Sequence, residues 1–118
     1  MSELIDDMTI AMARVAARIG PDGTRLTDLA ERAQITKQSA GFLVDQLEKA
    51  GYVERVADPT DARARLVTLA ERGRSARMRA RRTERAIERE WTRHLGEEQM
   101  RAMREALVAL RGITDPYA

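Results

Sequence analysis

Apolar residues recur at intervals of three and four along most of this chain, and that rhythm gives way to strand-like alternation only between Tyr52 and Leu69. Residues 3 to 19 put Leu4, Met8, Ala11, Met12, Val15 and Ile19 on one face and predict a helix, which Gly20-Pro21-Asp22-Gly23 ends. Leu26 to Ala33 predicts a short helix capped by Thr27, with Asp28 and Glu31 early and Leu29, Ala30 and Ala33 turned inward. Thr36 to Gly51 predicts another: Thr36 suits an N-cap, Gly51 a left-handed stop, and Ala40, Leu43, Val44 and Leu47 make one apolar stripe. Only Gln34-Ile35-Thr36 separates these two helices, so they must meet steeply, as in a DNA-binding helix-turn-helix. Tyr52 to Val56 and Ala64 to Leu69 then predict a β-hairpin with a charged tip, Ala57 to Arg63, and Thr24 to Leu26 is expected to add a short third strand.

Two further helices are expected. Glu71 to His94 carries Ala76, Ala80, Thr83, Ile87 and Trp91 along one seam. Gly96 breaks that helix, Glu97 and Glu98 open the next, and Met100, Met103, Leu107 and Leu110 form a seam of coiled-coil type. Two apolar-seamed helices at the end of so small a chain are most economically buried against a second copy, as a symmetric homodimer.

The face of the Thr36–Gly51 helix opposite its stripe carries Gln38, Gly41, Phe42 and Asp45, with Lys37 at its edge. In a helix-turn-helix the first turn of this helix points into the major groove, where Gln38 suits adenine and Lys37 suits guanine or a phosphate. Ser39 and the amides beside Thr36 are further candidates. Gly41 costs a helix about 1 kcal/mol relative to alanine and is better explained by the close approach of a DNA backbone or base edge. Phe42, the only phenylalanine, points away from the stripe, toward thymine methyl groups or sugar faces. Asp45 would repel phosphates, which confines readout to the first half of the helix.

Charge sharpens this picture. The formal net charge is +2, but Thr24 to Ala70 holds seven basic and seven acidic residues, while Glu71 to Gly112 holds twelve and seven. A neutral binding segment must hold DNA through placed contacts, helix N-termini and two copies acting together. The six arginines between Arg72 and Arg82 read as a solvated helix face.

The combination Leu26-Thr27-x-Leu29-Ala30, Thr36-Lys37-Gln38, Leu43-Val44-Asp45-x-Leu47-Glu48-x-x-Gly51-Tyr52-Val53-Glu54-Arg55 and Asp58-Pro59-x-Asp61-x-Arg63-x-x-Leu66-Val67-x-Leu69-x-x-x-Gly73 resembles the MarR (multiple antibiotic resistance regulator) family of winged-helix transcription factors. The resemblance implies a mainly α fold with a small β-hairpin wing (α+β), a winged helix-turn-helix with C-terminal dimerisation helices. The whole of 1–118 then reads as one domain. It comprises an N-terminal helix (1–23), the winged helix-turn-helix (24–70), dimerisation helices (71–112) and a tail (113–118). Relatives carry a further N-terminal helix that joins two subunits, and this chain is expected to begin too late for a full one. Arg63 is the residue expected in a narrow, electronegative minor groove, with Asp61 or Asp58 orienting it and Arg65 on a phosphate.

The function that follows is a cytoplasmic, homodimeric regulator, a repressor, of a pseudo-palindromic site in double-stranded DNA. The resemblance further implies release by a small aromatic ligand, for which Met8, Met12 and Trp91 are the candidate lining. The alternative from another class is a winged-helix protein-protein interaction module whose interface a partner completes. Enzyme chemistry is not expected: no nucleophile is paired with a base, no glycine-rich phosphate loop is present, and carboxylates sit beside arginines at helical spacing, as in Arg85 and Glu88. No cofactor is expected, His94 has no partner for a metal site, and the absence of cysteine excludes disulfides and thiol sensing on this chain. No apolar run is long enough to span a membrane, and the acidic residues Glu3, Asp6 and Asp7 do not suit a secretory signal.

Overall fold

A computed structural model describes residues 7–115 and resolves the chain into two compact units, the first reaching Met78 and the second beginning at Arg79. Leu4 and the last three residues lie outside the described residues. The first unit contains α1 (Ile10–Ala16), α2 (Leu26–Ala33), α3 (Lys37–Lys49) and an antiparallel hairpin of β1 (Val53–Asp58) and β2 (Asp61–Leu69). The helix α4 (Glu71–Leu95) starts in this unit, and α5 (Glu97–Thr114) belongs to the second.

The first helix is shorter than its apolar spacing predicts. Thr9 is extended, and its hydroxyl accepts a hydrogen bond from the Met12 amide at 3.1 Å, so the helix begins at Ile10. It ends at Ala16 because the amides of Arg18 and Ile19 turn to carbonyls three residues back. Met12, Val15 and Ile19 are buried as expected and Met8 packs on them, whereas Ala11 is exposed.

Thr27 does not cap α2; Arg25 occupies that position and contributes no side-chain cap. The cause lies one residue earlier. Thr24 and Val67 exchange both backbone hydrogen bonds, at 3.0 and 2.8 Å, which holds the chain extended up to Arg25 and lets the helix start at Leu26. The expected third strand is this single bridge.

Both helices of the helix-turn-helix end in the same way. Gln34 after α2 and Gly51 after α3 take positive φ, 59° and 85°, and the next amide bonds to the carbonyl five residues back, Ile35 to Ala30 at 3.0 Å and Tyr52 to Leu47 at 2.9 Å. Gly51 is the predicted stop. Gln34 adopts the same conformation without being glycine, at a cost of about 1–2 kcal/mol, and ends α2 ahead of the turn into α3.

Leu29, Val44, Leu47, Val15 and Tyr52 are the largest fully buried side chains, with Val53 and Val67 joining from the hairpin. Each of the two leucines contributes on the order of 1.5–3 kcal/mol by leaving water. Tyr52 carries its hydroxyl to Asp7 Oδ1 at 2.7 Å, and the Arg72 guanidinium lies 4.2 Å above its ring. Gly73 is buried where α4 meets this residue: a β-carbon there would collide with the Tyr52 carbonyl.

The hairpin reaches further than the alternation predicts, leaving only Pro59 and Thr60 between strands. Pairing runs regularly from Val53 opposite Leu69 to Ala57 opposite Arg65, then jumps to Asp58 opposite Asp61. Ala62, Arg63 and Ala64 are therefore extra residues without partners on β1.

In the second unit Gly96, at φ 89°, separates α4 from α5, and α5 continues two residues past the expected end at 112. Met100 is buried and Met103 half-buried, while Ile87, Trp91, Leu107 and Leu110 are exposed by 40% or more. Glu88 pairs with Arg104 at 3.2 Å, across the two helices, rather than with Arg85 one turn earlier.

Candidate nucleic-acid interface

The outer face of α3 is built by its cap. The Thr36 hydroxyl accepts the Ser39 amide at 3.0 Å and donates to the Ser39 hydroxyl at 2.9 Å. Both side chains are thereby fixed at the helix start, and the Ser39 hydroxyl hydrogen remains for an outside acceptor. Lys37 and Gln38 are exposed beside them, one turn ahead of Phe42. Phe42 is 63% exposed, so it is no part of the core. Gln38, Ser39, Phe42 and Leu43 line an open depression of about 440 Å³.

Gly41 lies on α3 one turn after Gln38. A β-carbon there would stand 3.6 Å from Leu26 Cδ2, an ordinary contact. Nothing inside the protein requires glycine at this position.

Asp45 differs from its expected role. Arg55 of β1 reaches back to Asp45 Oδ1 at 2.8 Å and to Glu48 at 2.5 Å, so neither carboxylate presents a bare charge. Two acids three residues apart on a helix, followed by an arginine on the next strand, is the sequence signal for this clamp.

The wing tip is organised by Asp58, which is buried. Its Oδ1 accepts the Thr60 amide and hydroxyl at 2.8 and 2.7 Å, and its Oδ2 accepts Arg25 Nε and Nη2 at 3.0 and 2.7 Å. These bonds, those from Thr60 first and the Arg25 guanidinium next, hold its carboxyl at a pKa of about 2. Asp58 thus ties the wing to the start of α2 and does not orient Arg63. Asp61 accepts the backbone amide of Arg63 at 3.0 Å, fixing the loop rather than the guanidinium. The Arg63 side chain makes no ion pair with another described residue. Arg65, opposite Ala57, is exposed as well.

Not all of the arginines after the wing form a solvated face. Arg72 bonds Asp7 and the Ala50 carbonyl, Arg74 the Leu69 carbonyl at 2.8 Å and Arg77 the Ala16 carbonyl at 2.7 Å. They fasten the start of α4 to the first unit. Asp7 is held below the usual carboxylate range, chiefly by the Tyr52 hydroxyl and then by Arg72.

Of the candidate ligand-lining residues, Met12 is in the core of the first unit, Met8 packs on that core, and Trp91 is half-exposed in the second unit. Among the described residues no group of three or more His, Cys, Asp or Glu side chains could hold a metal ion, and no helix is long and apolar enough to cross a membrane.

Two packed helices joined by three residues, the second exposing its first turn, followed by a charged hairpin, define a winged helix-turn-helix. The chain belongs to the MarR family, a family of DNA-binding transcription regulators and not of enzymes; the family's model matches residues 6–64, half of the sequence. Solved structures share the fold at low identity. Rv1404 of Mycobacterium tuberculosis is 22% identical with a TM-score of 0.80, the match covering 96% of this chain and 78% of that one. Streptococcus pneumoniae FabT in complex with DNA is 21% identical with a TM-score of 0.77, covering 95% and 82%. The Staphylococcus aureus MepR–DNA complex is 20% identical with a TM-score of 0.72, covering 92% and 84%. No curated protein sequence matches the chain.

Proposed function

We propose that this protein is a cytoplasmic, homodimeric repressor that binds a pseudo-palindromic operator in double-stranded DNA. Each subunit lays residues 37 to 50 in a major groove and its wing in the flanking minor groove. The observation that carries this reading is the pairing of an exposed first turn of α3, Lys37 to Ser39, with an arginine at the wing tip that has no described ion-pair partner. Thr36 and Ser39 direct helix-start amides and a hydroxyl to phosphate, Lys37 and Gln38 meet base edges, and Arg63 enters the minor groove with Arg65 on a phosphate. Asp61 shapes the loop that presents Arg63. The clamp by Arg55 supports the reading further, because it reduces the repulsion that Asp45 and Glu48 would otherwise exert.

Dimerisation is supported by the exposed apolar residues of the second unit, among them Trp91, Leu107, Leu110 and Ile113. FabT and MepR have been solved with DNA, and MepR also with ethidium bromide, an aromatic ligand. A small aromatic effector that changes the separation of the two recognition helices would release the operator, since half-sites must lie about one turn, 34–36 Å, apart.

The test is binding of purified protein to genomic duplex fragments at two salt concentrations, with Arg63→Ala in parallel. The expected result is sequence-selective binding that weakens as salt rises, with lower affinity in the variant because its guanidinium no longer enters the electronegative minor groove. Salt-insensitive capture of a protein, with no selective binding to DNA, would move the function to a protein-protein interaction module.

A further inference from the structure

Within the depression on α3, one wall is polar and the other apolar. Gln38 and Ser39 supply the first, Phe42 and Leu43 the second, and Gly41, one turn on from Gln38, adds no side chain to the helix surface next to them. An exposed phenylalanine costs free energy in water and is not held there by the core, which lies on the opposite face of the helix. Phe42 is therefore available to an occupant of the depression.

The occupant has to be part polar and part apolar over one helical turn. Gln38 and Phe42 are four residues apart, so their β-carbons are about 5–6 Å from each other on one face. An A·T base pair is the one base-pair edge in the major groove that offers both features: N6 and N7 of adenine, which match a glutamine amide, and the C5-methyl group of thymine, which matches an apolar ring. A G·C pair presents no methyl group.

Resting on the DNA-binding reading above, we infer that Phe42 is a specificity-determining residue that reads the C5-methyl group of thymine, in the same or the neighbouring base pair as the adenine held by Gln38. Gly41 is bare so that this edge can approach. The clamp of Arg55 on Asp45 and Glu48 reduces the negative charge of the next turns, and with it the repulsion of phosphates flanking the contacted pair. The contact is an apolar one that excludes water from a single methyl group, and its contribution scales with that area.

The experiment first selects bound duplexes from a random library with the full chain. It then replaces each thymine of the selected half-site, one position at a time, by 2′-deoxyuridine, which lacks only the methyl group. The expected result is one thymine position, or two adjacent ones, where the replacement weakens wild-type binding about fourfold per half-site, or about fifteenfold with both half-sites changed. Phe42→Ala should bind the thymine duplex about as weakly as the wild type binds the deoxyuridine duplex, and should lose nothing more on replacement. Gln38→Ala should lose its preference for adenine yet keep the deoxyuridine effect. Circular dichroism and a thermal melt verify that both variants fold, as their exposure predicts. Selective binding with no deoxyuridine-sensitive thymine, or with the same sensitivity in Phe42→Ala, overturns the inference and leaves the DNA-binding reading standing. Absence of any selected duplex overturns both.

Discussion

Arg55 Nη2 lies 2.8 Å from Asp45 Oδ1, so a strand of the wing neutralises a carboxylate of the recognition helix. Asp45 is 69% exposed, and the pair is worth little to stability. Its effect is on the field that a polyanion meets. Arg55→Ala uncovers both Asp45 and Glu48, and the expected outcome is DNA affinity reduced about tenfold at low salt, with the deficit shrinking as salt rises. Fluorescence anisotropy with a labelled duplex measures it. Adding Asp45→Asn to the variant should recover part of the loss; an unchanged Kd in Arg55→Ala would remove the clamp from the account of binding.

Gly73→Ala is expected to be among the most damaging single-methyl changes in the chain. The new β-carbon would overlap the Tyr52 carbonyl, a backbone atom whose oxygen also accepts the Ala70 amide at 2.9 Å. Overpacking against backbone should destabilise by about 1–3 kcal/mol or more. Urea unfolding gives the number, and Gly112→Ala is the control, since nothing lies within 4 Å of a β-carbon there. Equal midpoints for the two variants would contradict the close approach.

Gly41→Ala should move stability and binding in opposite directions. Its β-carbon meets only Leu26 Cδ2 at an ordinary distance, so the helix gains the alanine preference of about 1 kcal/mol or a little less. The same methyl group stands one turn from Gln38 on the α3 surface that the proposed binding mode turns to DNA, and DNA affinity should fall. A variant that is both more stable and equally tight would show that nothing approaches Gly41 closely.

Acid should weaken the tie that Asp58 makes between the wing and the start of α2. Asp58 has a folded pKa of about 2, below the ordinary value near 4 in the unfolded chain. A depressed carboxyl contributes stability that is full above about pH 4 and is lost as pH falls toward 2. Urea midpoints of wild type should therefore drop over that interval more than those of Asp58→Asn. Parallel curves for the two proteins would mean that Asp58 is not held as its four hydrogen bonds indicate.

Much of this architecture is legible in the sequence because it is local. Ala40, Val44 and Leu47 are buried at the spacing that announces them, Thr36 caps and Gly51 stops α3, and Phe42 stands on the face that the stripe leaves free. Side-chain partners far apart in sequence leave no such rhythm. Arg25 and Asp58 are 33 positions apart, Tyr52 and Asp7 45, and Arg72 and Asp7 65. The misplaced start of α2 has the same origin: Thr27 is a good cap by composition, but the Thr24–Val67 bridge decides where the extended chain ends. Gly73 appears in the family pattern without its reason, which is a carbonyl that no sequence shows.

The reciprocal bonds between Thr24 and Val67, followed at once by the grip of Arg25 on Asp58, join the wing to the root of α2 at two consecutive residues. On the binding mode proposed above, the wing and α3 act as two jaws of a calliper, and the wing's jaw is tied to the start of α2. A duplex meeting both jaws has to bring its own grooves to that gauge, by narrowing, bending or untwisting. Sequences that deform at low cost are then favoured even at base pairs no side chain touches.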